Sequence, residues 1–527
     1  MKTNTTQSKH VPRASLDGFN GTRNIHRVDY AGLQPTSRVP VTQQYALAET
    51  LAPKKPIQLP QQQQEADVPQ FDLPKYVAPE RPKAVVKKRT PWKRHILRTL
   101  AASTALCLLF AGVLFWRGYV NIHKVFRGNN TVAALSAEKV APELLRGEGD
   151  GRVNILMLGA GGENHPGGDL TDTIMVLSVD PVNKTAAMLS VPRDLWVKMP
   201  VNYFGAYQKI NAAYSSGKYK YLGKTDLKND DQQAIEAGFA SASEAVSGVL
   251  GIKINYHVLV DFQAFEQAID TVGGVSVDVK EQLYDPTMAW ENANNPVLAP
   301  AGSQNMQGKQ ALMYARSRET SSDFARSERQ RQLLVALKEK VLTLGTLSSP
   351  ARIDSLMDSF GGNVRTDLST QAASRLFSIM KGIADNDVAS LSLTTPQSLV
   401  TTDRVGDASV VRPKAGFNTY SDIQTYVRSQ LLDGYLVKEK AHVYVIGSSE
   451  KLRSYTEATL AGYGYNVSGS SVMPTVPPGM TVVDLSNAVA PYTLHYLQDR
   501  YGVAATKQLP HGVEVPSGTQ FVIITGT

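Results

Sequence analysis

VNILMLGAGGENHPGGDLTDTIMVLSVDPVNKTAAMLSVPRD, residues 153–194, is the stretch on which the fold turns. Apolar runs at 153–159, 173–180 and 186–192 have strand length and almost no polar interruption. Half-exposed strands alternate, so unbroken runs of this kind mark strands covered on both faces. A glycine-rich loop, 160–171, joins the first two runs, and a turn at 181–184 joins the second to the third. The GAGG at 159–162 is not a dinucleotide-binding turn: the spacing is not G-x-G-x-x-G, and a strand rather than a helix comes next.

Outward from this core, helical periodicity predicts helices over 230–250, 262–272, 308–315 and 323–344. Strands wrapped by helices predict a three-layer α/β/α domain over 151–435, with its core at 153–345. Before it, 119–150 reads as a stalk, with a short helix near 133–145 and Gly-x-Gly-Asp-Gly at 147–151. After residue 396, a connecting strand and a helix capped by Ser421 close the domain. Residues 441–527 read β-α-β-α-β with a Ser/Pro-rich hairpin region in the middle. This predicts a small separate α/β module, one without an acid, base and nucleophile cluster.

The chain carries 55 Lys+Arg against 47 Asp+Glu, but residues 1–98 hold 17 of the basic and only 7 of the acidic residues. The remainder is close to neutral, which argues against a nucleic-acid-binding face on the folded part. One cysteine, Cys107, excludes an internal disulfide framework and any cysteine-based metal centre. Residues 1–92 hold 11 of the 28 prolines and no apolar stretch able to form a core, so they read as a disordered tail. The run TLAASTALCLLFAGVLFW, 99–116, has 18 uncharged residues. At 1.5 Å per residue it is about 27 Å long, enough with its flanks to cross a bilayer, and predicts one transmembrane helix over 96–118. Basic residues crowd the upstream flank (Lys87, Lys88, Arg89, Lys93, Arg94, Arg98), so the tail is expected to be cytoplasmic and the rest outside a bacterial cell membrane. The same basic run could meet anionic lipid.

Charged residues interrupt apolar structure at few places. Asp172 stands where the glycine-rich loop enters a strand, and Arg193 where another strand ends. Arg316 and Arg318 are two apart and, in extended chain, would form a fork suited to phosphate oxygens. Asp323, Arg326 and Gln330 share one helix face that continues as Leu334, Leu337 and Val341. Each residue alone could be a cap or a surface ion pair; together, four arginines at element ends point to a polyanion site.

The strings NILMLG (154–159), LTDTIMVLSVDP (170–181), SVPRD (190–194), KINAAY (209–214), VDFQAFEQAIDTVGGVSVDV (260–279) and ALMYARSRETSSDFARSERQRQ (311–332) resemble, in this order, the LytR-CpsA-Psr family of cell-envelope phosphotransferases. The resemblance implies a mixed central sheet and, for 441–527, a LytR-type C-terminal domain. It implies transfer of a glycopolymer from a polyprenyl-pyrophosphate carrier onto peptidoglycan, at a muramic acid hydroxyl, with Mg2+ or a similar cation. The prenyl tail would lie in an apolar tunnel between sheet and helices. By residue, Arg193, Arg316, Arg318 and Arg326 match the pyrophosphate-binding arginines, with Lys209 and Gln330 as further polar positions. Asp172 matches the acidic residue at the metal and catalytic centre, and Asp323 a second site carboxylate. Two positions depart from the family pattern: an Asp is replaced by Gly161 and an Arg by Leu170, with Glu163, His165 and Asp169 nearby as possible replacements. The same residues would also serve a lipid-pyrophosphate hydrolase or a binding scaffold without turnover. A transcription regulator is disfavoured, because the tail has no helix-turn-helix pattern.

Overall fold

In the computed structural model, Val153–Ala160 (β1) is buried along most of its length because its alternate side chains enter two different cores. Leu156, Leu158 and Ala160 point to one face, Val153 and Ile155 to the other. The structure describes residues 132–136, 140–162, 165, 167–223, 231–317, 323–343, 363–394 and 396–527. The tail expected at 1–92 and the span expected at 96–118 lie outside them. Among the described residues, no helix is long and apolar enough to cross a membrane.

The central sheet is mixed. β1 runs antiparallel to β2 (Thr171–Asp180), which runs antiparallel to β3 (Thr185–Ser190). On the other side β1 runs parallel to β6 (Tyr256–Asp261), and Val364–Thr366 and Val388–Ser392 form the two edges. Helices cover both faces. Ala213–Leu222 (α1), Gln232–Leu250 (α2) and Ser421–Gln430 supply Tyr214, Ile235, Phe239, Ile423 and Val427 to one core. Ala372 of the Thr370–Lys381 helix joins the other. A third core forms where Phe262–Thr271 (α3), Gly308–Arg316 (α4) and Asp323–Thr343 (α5) meet the antiparallel pair Val275–Val279 and Gly302–Met306.

Three expectations are corrected. The stalk is no free spacer: Ala134 and Leu135 are buried in the sheet's second core, and Val140 and Leu145 in that of the C-terminal module. Tyr420, not Ser421, occupies the N-cap, and no side chain caps that helix; the Ser421 hydroxyl turns to Asp422. The Ser/Pro-rich region of the module contains a strand, Asn466–Val472, parallel to His442–Gly447. Its serines and glycine have low strand propensity, so pairing at the sheet edge rather than local preference forms it. The module's four-stranded sheet is completed by Gly479–Asp484 and Phe521–Gly526.

The module is welded to the rest by buried polar contacts. Asp433 accepts bonds from the backbone N–H groups of Gly149, Gly151 and Tyr435 and from the Tyr496 hydroxyl. A Cβ at 151 would lie 2.7 Å from the Asp433 carboxylate, so this approach needs glycine. Glu148 pairs with Arg500 at 2.6 Å and accepts from the Tyr465 hydroxyl.

Candidate functional site

The pairing of β1 with β2 slips by one residue at the rim. Gly159 faces Thr173 and Ala160 faces Thr171, which leaves Asp172 as the extra residue of a bulge. Bulges re-aim a side chain out of the sheet plane. Here the result is a half-exposed carboxylate whose Oδ1 lies 2.7 Å from Arg193 Nη1. Arg193 reaches it because β3 ends beside the start of β2, with the Val191 N–H still bonded to the Ile174 carbonyl and Pro192 ending the strand.

Arg193 also approaches Asp194, at 3.5 Å, and Asp194 in turn takes Lys209 at 2.7 Å. Lys209 is brought there by the hairpin of β4 (Trp196–Lys198) and β5 (Tyr207–Lys209), in which it faces Trp196. The following Asn211 is buried. Its backbone N–H bonds the Arg193 carbonyl, its own carbonyl accepts from Thr171, and its amide approaches Asp172 at 3.5 Å. The rim is thus a chain of alternating charges: Lys209, Asp194, Arg193, Asp172. Ion pairs this exposed are worth about 0–1 kcal/mol each. A pyrophosphate can displace such carboxylates at little cost, since the exposed pairs are worth little and Arg and Lys make charge-assisted bonds to phosphoryl oxygens as they do to carboxylates.

Arg316 is contributed by α4. It is the last residue of α4, so the extended chain expected for an Arg316–Arg318 fork is corrected: the chain is helical through Arg316 and turns extended only at Ser317. Arg318 lies outside the described residues. Arg316 bonds Glu291 at 2.9 Å, and its guanidinium lies 4.6 Å from the centre of the Phe262 ring. His165 of the glycine-rich loop meets the same ring edge-on at 5.5 Å. The loop and Arg316 therefore share one support.

α5 begins at Asp323, whose side chain is not among those described. Arg326 is buried, and Gln330 reaches Thr173, next to Asp172, at 3.5 Å. Sequence reasoning missed Arg329, which is buried and donates to the Tyr314 and Ser317 carbonyls, so it closes the C-terminal end of α4 beneath Arg316. Burial holds its pKa below the usual arginine value. Its spacing of three from Arg326 was the available signal. Asn211, inside the KINAAY string, was missed in favour of Lys209. Leu333 and Ala336 are the fully buried apolar residues of α5, while Leu334, Leu337 and Val341 pack partly exposed.

The two departures have local explanations. A Cβ at Gly161 would lie 2.5 Å from the His165 ring, so the ring fills the place of a side chain at 161. Leu170 is exposed. Asp169 is committed to α1, bonding Lys218 at 2.8 Å and accepting from the Tyr219 hydroxyl at 2.7 Å. Burial, and then this bond, raise the Tyr219 pKa. Glu163 lies outside the described residues. No group of three His, Cys, Asp or Glu able to hold a metal occurs among the described residues. Mg2+ commonly uses one or two carboxylates and completes its shell with water and phosphate oxygens, and the half-exposed Asp172 fits that pattern.

Residues 119–412 match the LytR_cpsA_psr family. The chain belongs to the LytR-CpsA-Psr family. It is 32% identical over 226 residues to the polyisoprenyl-teichoic acid–peptidoglycan teichoic acid transferase TagV of Bacillus subtilis, covering 42% of this chain and 51% of that protein. It is 32% identical over 222 residues to the cell wall biosynthesis protein LcpA of Corynebacterium glutamicum, covering 40% of each. The chain thus spans about half the length of TagV. The crystal structure of B. subtilis TagV superposes with a TM-score of 0.40 at 28% identity, covering 53% of this chain and 97% of that one. The LytR-CpsA-Psr match takes in every rim residue named above from Asp172 to Gln330, and ends before the C-terminal module.

Proposed function

We propose that this protein is a transferase that moves a glycopolymer from a polyprenyl-pyrophosphate carrier onto a muramic acid hydroxyl of peptidoglycan. The observation that carries the reading is the exchangeable ion pair of Arg193 with the bulge residue Asp172. The transfer for which its relative TagV is named supports it. In this reading the carrier's pyrophosphate takes Arg193, Lys209 and Arg316 from their carboxylates, with Arg318, Arg326 and Gln330 completing the cradle. Arg193, on changing partner, releases Asp172. The acceptor hydroxyl oxygen forms a bond to the glycan-linked phosphorus and the bridging P–O bond breaks. Polyprenyl phosphate leaves with the electron pair, and the hydroxyl proton passes to a carboxylate, Asp172 or Asp323. The arginines stabilise the charge that develops on the phosphoryl oxygens. Asp172 would hold a Mg2+, which would neutralise phosphate charge when bound.

The 96–118 span would anchor the chain as a single-pass bacterial membrane protein, tail inside and folded part outside. The 441–527 module would be a LytR-type C-terminal domain. The test is to incubate the full chain with a lipid-pyrophosphate-linked glycan, peptidoglycan fragments and Mg2+, and to separate the products. Glycan attached to peptidoglycan supports the transferase. Lipid phosphate released with free glycan phosphate would make it a hydrolase, and binding with neither product a scaffold.

A further inference from the structure

Between Asp194 and Asp226 the chain has no acidic residue, yet residues 195–222 hold four lysines and seven aromatic side chains. Three of these aromatics stand in water at the β4–β5 hairpin: Tyr203 is 45% exposed, Phe204 49% and Tyr207 43%. The tip is formed, not collapsed. The Met199 N–H bonds the Ala206 carbonyl, Gln208 donates to the Phe204 carbonyl, and Gly205 makes the turn at φ +142°. Tyr203 and Phe204 meet edge-on at 4.7 Å, and both rest against Tyr219. Lys198, facing Tyr207 across the hairpin, and Lys220 are exposed beside them. A clustered apolar patch of this kind on a folded surface marks a contact site. Tyrosine and phenylalanine beside exposed lysines, with the nearby Asp169 carboxylate already taken by Lys218 and the Tyr219 hydroxyl, suit the headgroup layer of an anionic bilayer rather than a protein groove.

We infer that the β4–β5 hairpin tip docks on an anionic membrane surface, with Tyr203 and Phe204 entering the interfacial layer and Lys198 and Lys220 meeting lipid phosphates. The placement links the contact to both sides of the rim. At the base of the hairpin Lys209 holds Asp194 and through it Arg193, while at the tip Tyr219 holds Asp169 of the glycine-rich loop. Docking would therefore bring the rim to the height at which a lipid-borne pyrophosphate is presented. That purpose rests on the proposed function, whereas the contact itself does not.

The test uses the full chain with Cys107→Ser and Asn202→Cys, labelled at position 202 with an environment-sensitive fluorophore and reconstituted in phosphatidylglycerol-containing vesicles. A second label at Val489→Cys, an exposed site of the C-terminal module, is the reference. The expected result is several-fold weaker quenching by aqueous iodide at 202 than at 489, and quenching at 202 by headgroup-level spin-labelled lipid. Tyr203→Ser/Phe204→Ser should restore iodide access. Lys198→Glu/Lys220→Glu, or high salt, should do so in part. Equal iodide access at both positions would overturn the inference. So would protection that appears only when glycan fragments are added, which would make the tip a sugar platform. Because no turnover is read, failure here leaves the transferase reading untouched, and a hydrolytic product leaves this one untouched.

Discussion

Arg193 is held at 2.7 Å by a carboxylate that a β-bulge turns outward, and a charge pair so exposed contributes little to folding. Arg193→Ala is therefore expected to lower transfer by about 10²–10³, the loss typical of one transition-state charge stabiliser. Its thermal midpoint should stay near that of the parent, because the lost pair is worth at most about 1 kcal/mol. Transfer rate and melting measured on the same sample check this, and full activity would remove Arg193 from the site. Gly161 gives a second expectation. Gly161→Asp, which restores the common family residue, should destabilise by about 1 kcal/mol through collision with His165 and reduce the rate. Adding His165→Gly should recover the stability; a single variant as stable as the parent would show that the ring can swing clear. At this scale the sequence showed which charges interrupt apolar runs, and hence Asp172 and Arg193. It could not show the bulge, because a one-residue slip leaves no mark in composition, nor the engagement of Asp169 with Lys218 and Tyr219 across the fold.

Strands β1 to β3 and helices α1 to α5 position the rim; β1 to β3 and α2 to α5 were legible because buried runs and helical periodicity are local signals, whereas α1 was not expected from the sequence. Other exceptions were decided by long-range pairing. Asn466–Val472 is a strand only beside His442–Gly447, and the α4 helix carries through Arg316 because Arg329 satisfies its terminal carbonyls. Arg329→Met is expected to cost about 1–3 kcal/mol, since the Tyr314 and Ser317 carbonyls lose their buried donor. It should also slow transfer by loosening Arg316, although Arg329 itself would not touch substrate. Denaturant midpoint and rate should fall together; a stable variant with a parental rate would contradict this role.

Across the molecule, the segment expected as a stalk and a module expected to stand apart are instead joined through Asp433, to which residues up to 284 positions distant in sequence donate. No local pattern announces such a junction. Asp433→Asn should destabilise by about 2 kcal/mol, because an amide N–H2 cannot accept from the backbone donors that face it. Burial raises the Asp433 pKa above the usual value near 4, so its contribution is complete below about 4 and is lost as pH rises through the raised value. The stability advantage of the parent over Asp433→Asn should accordingly shrink as pH rises from about 4 through the raised value in parallel melts; a widening gap would reverse the assignment. The account as a whole stands on a sugar hydroxyl, not water, attacking the phosphorus. The most direct measurement is to run the full chain's reaction with lipid-pyrophosphate-linked glycan and peptidoglycan fragments in water enriched in heavy oxygen, and to weigh the phosphorylated products. The account predicts glycan–peptidoglycan phosphodiester without the heavy isotope; glycan phosphate that has taken it up, with no phosphodiester formed, would contradict it.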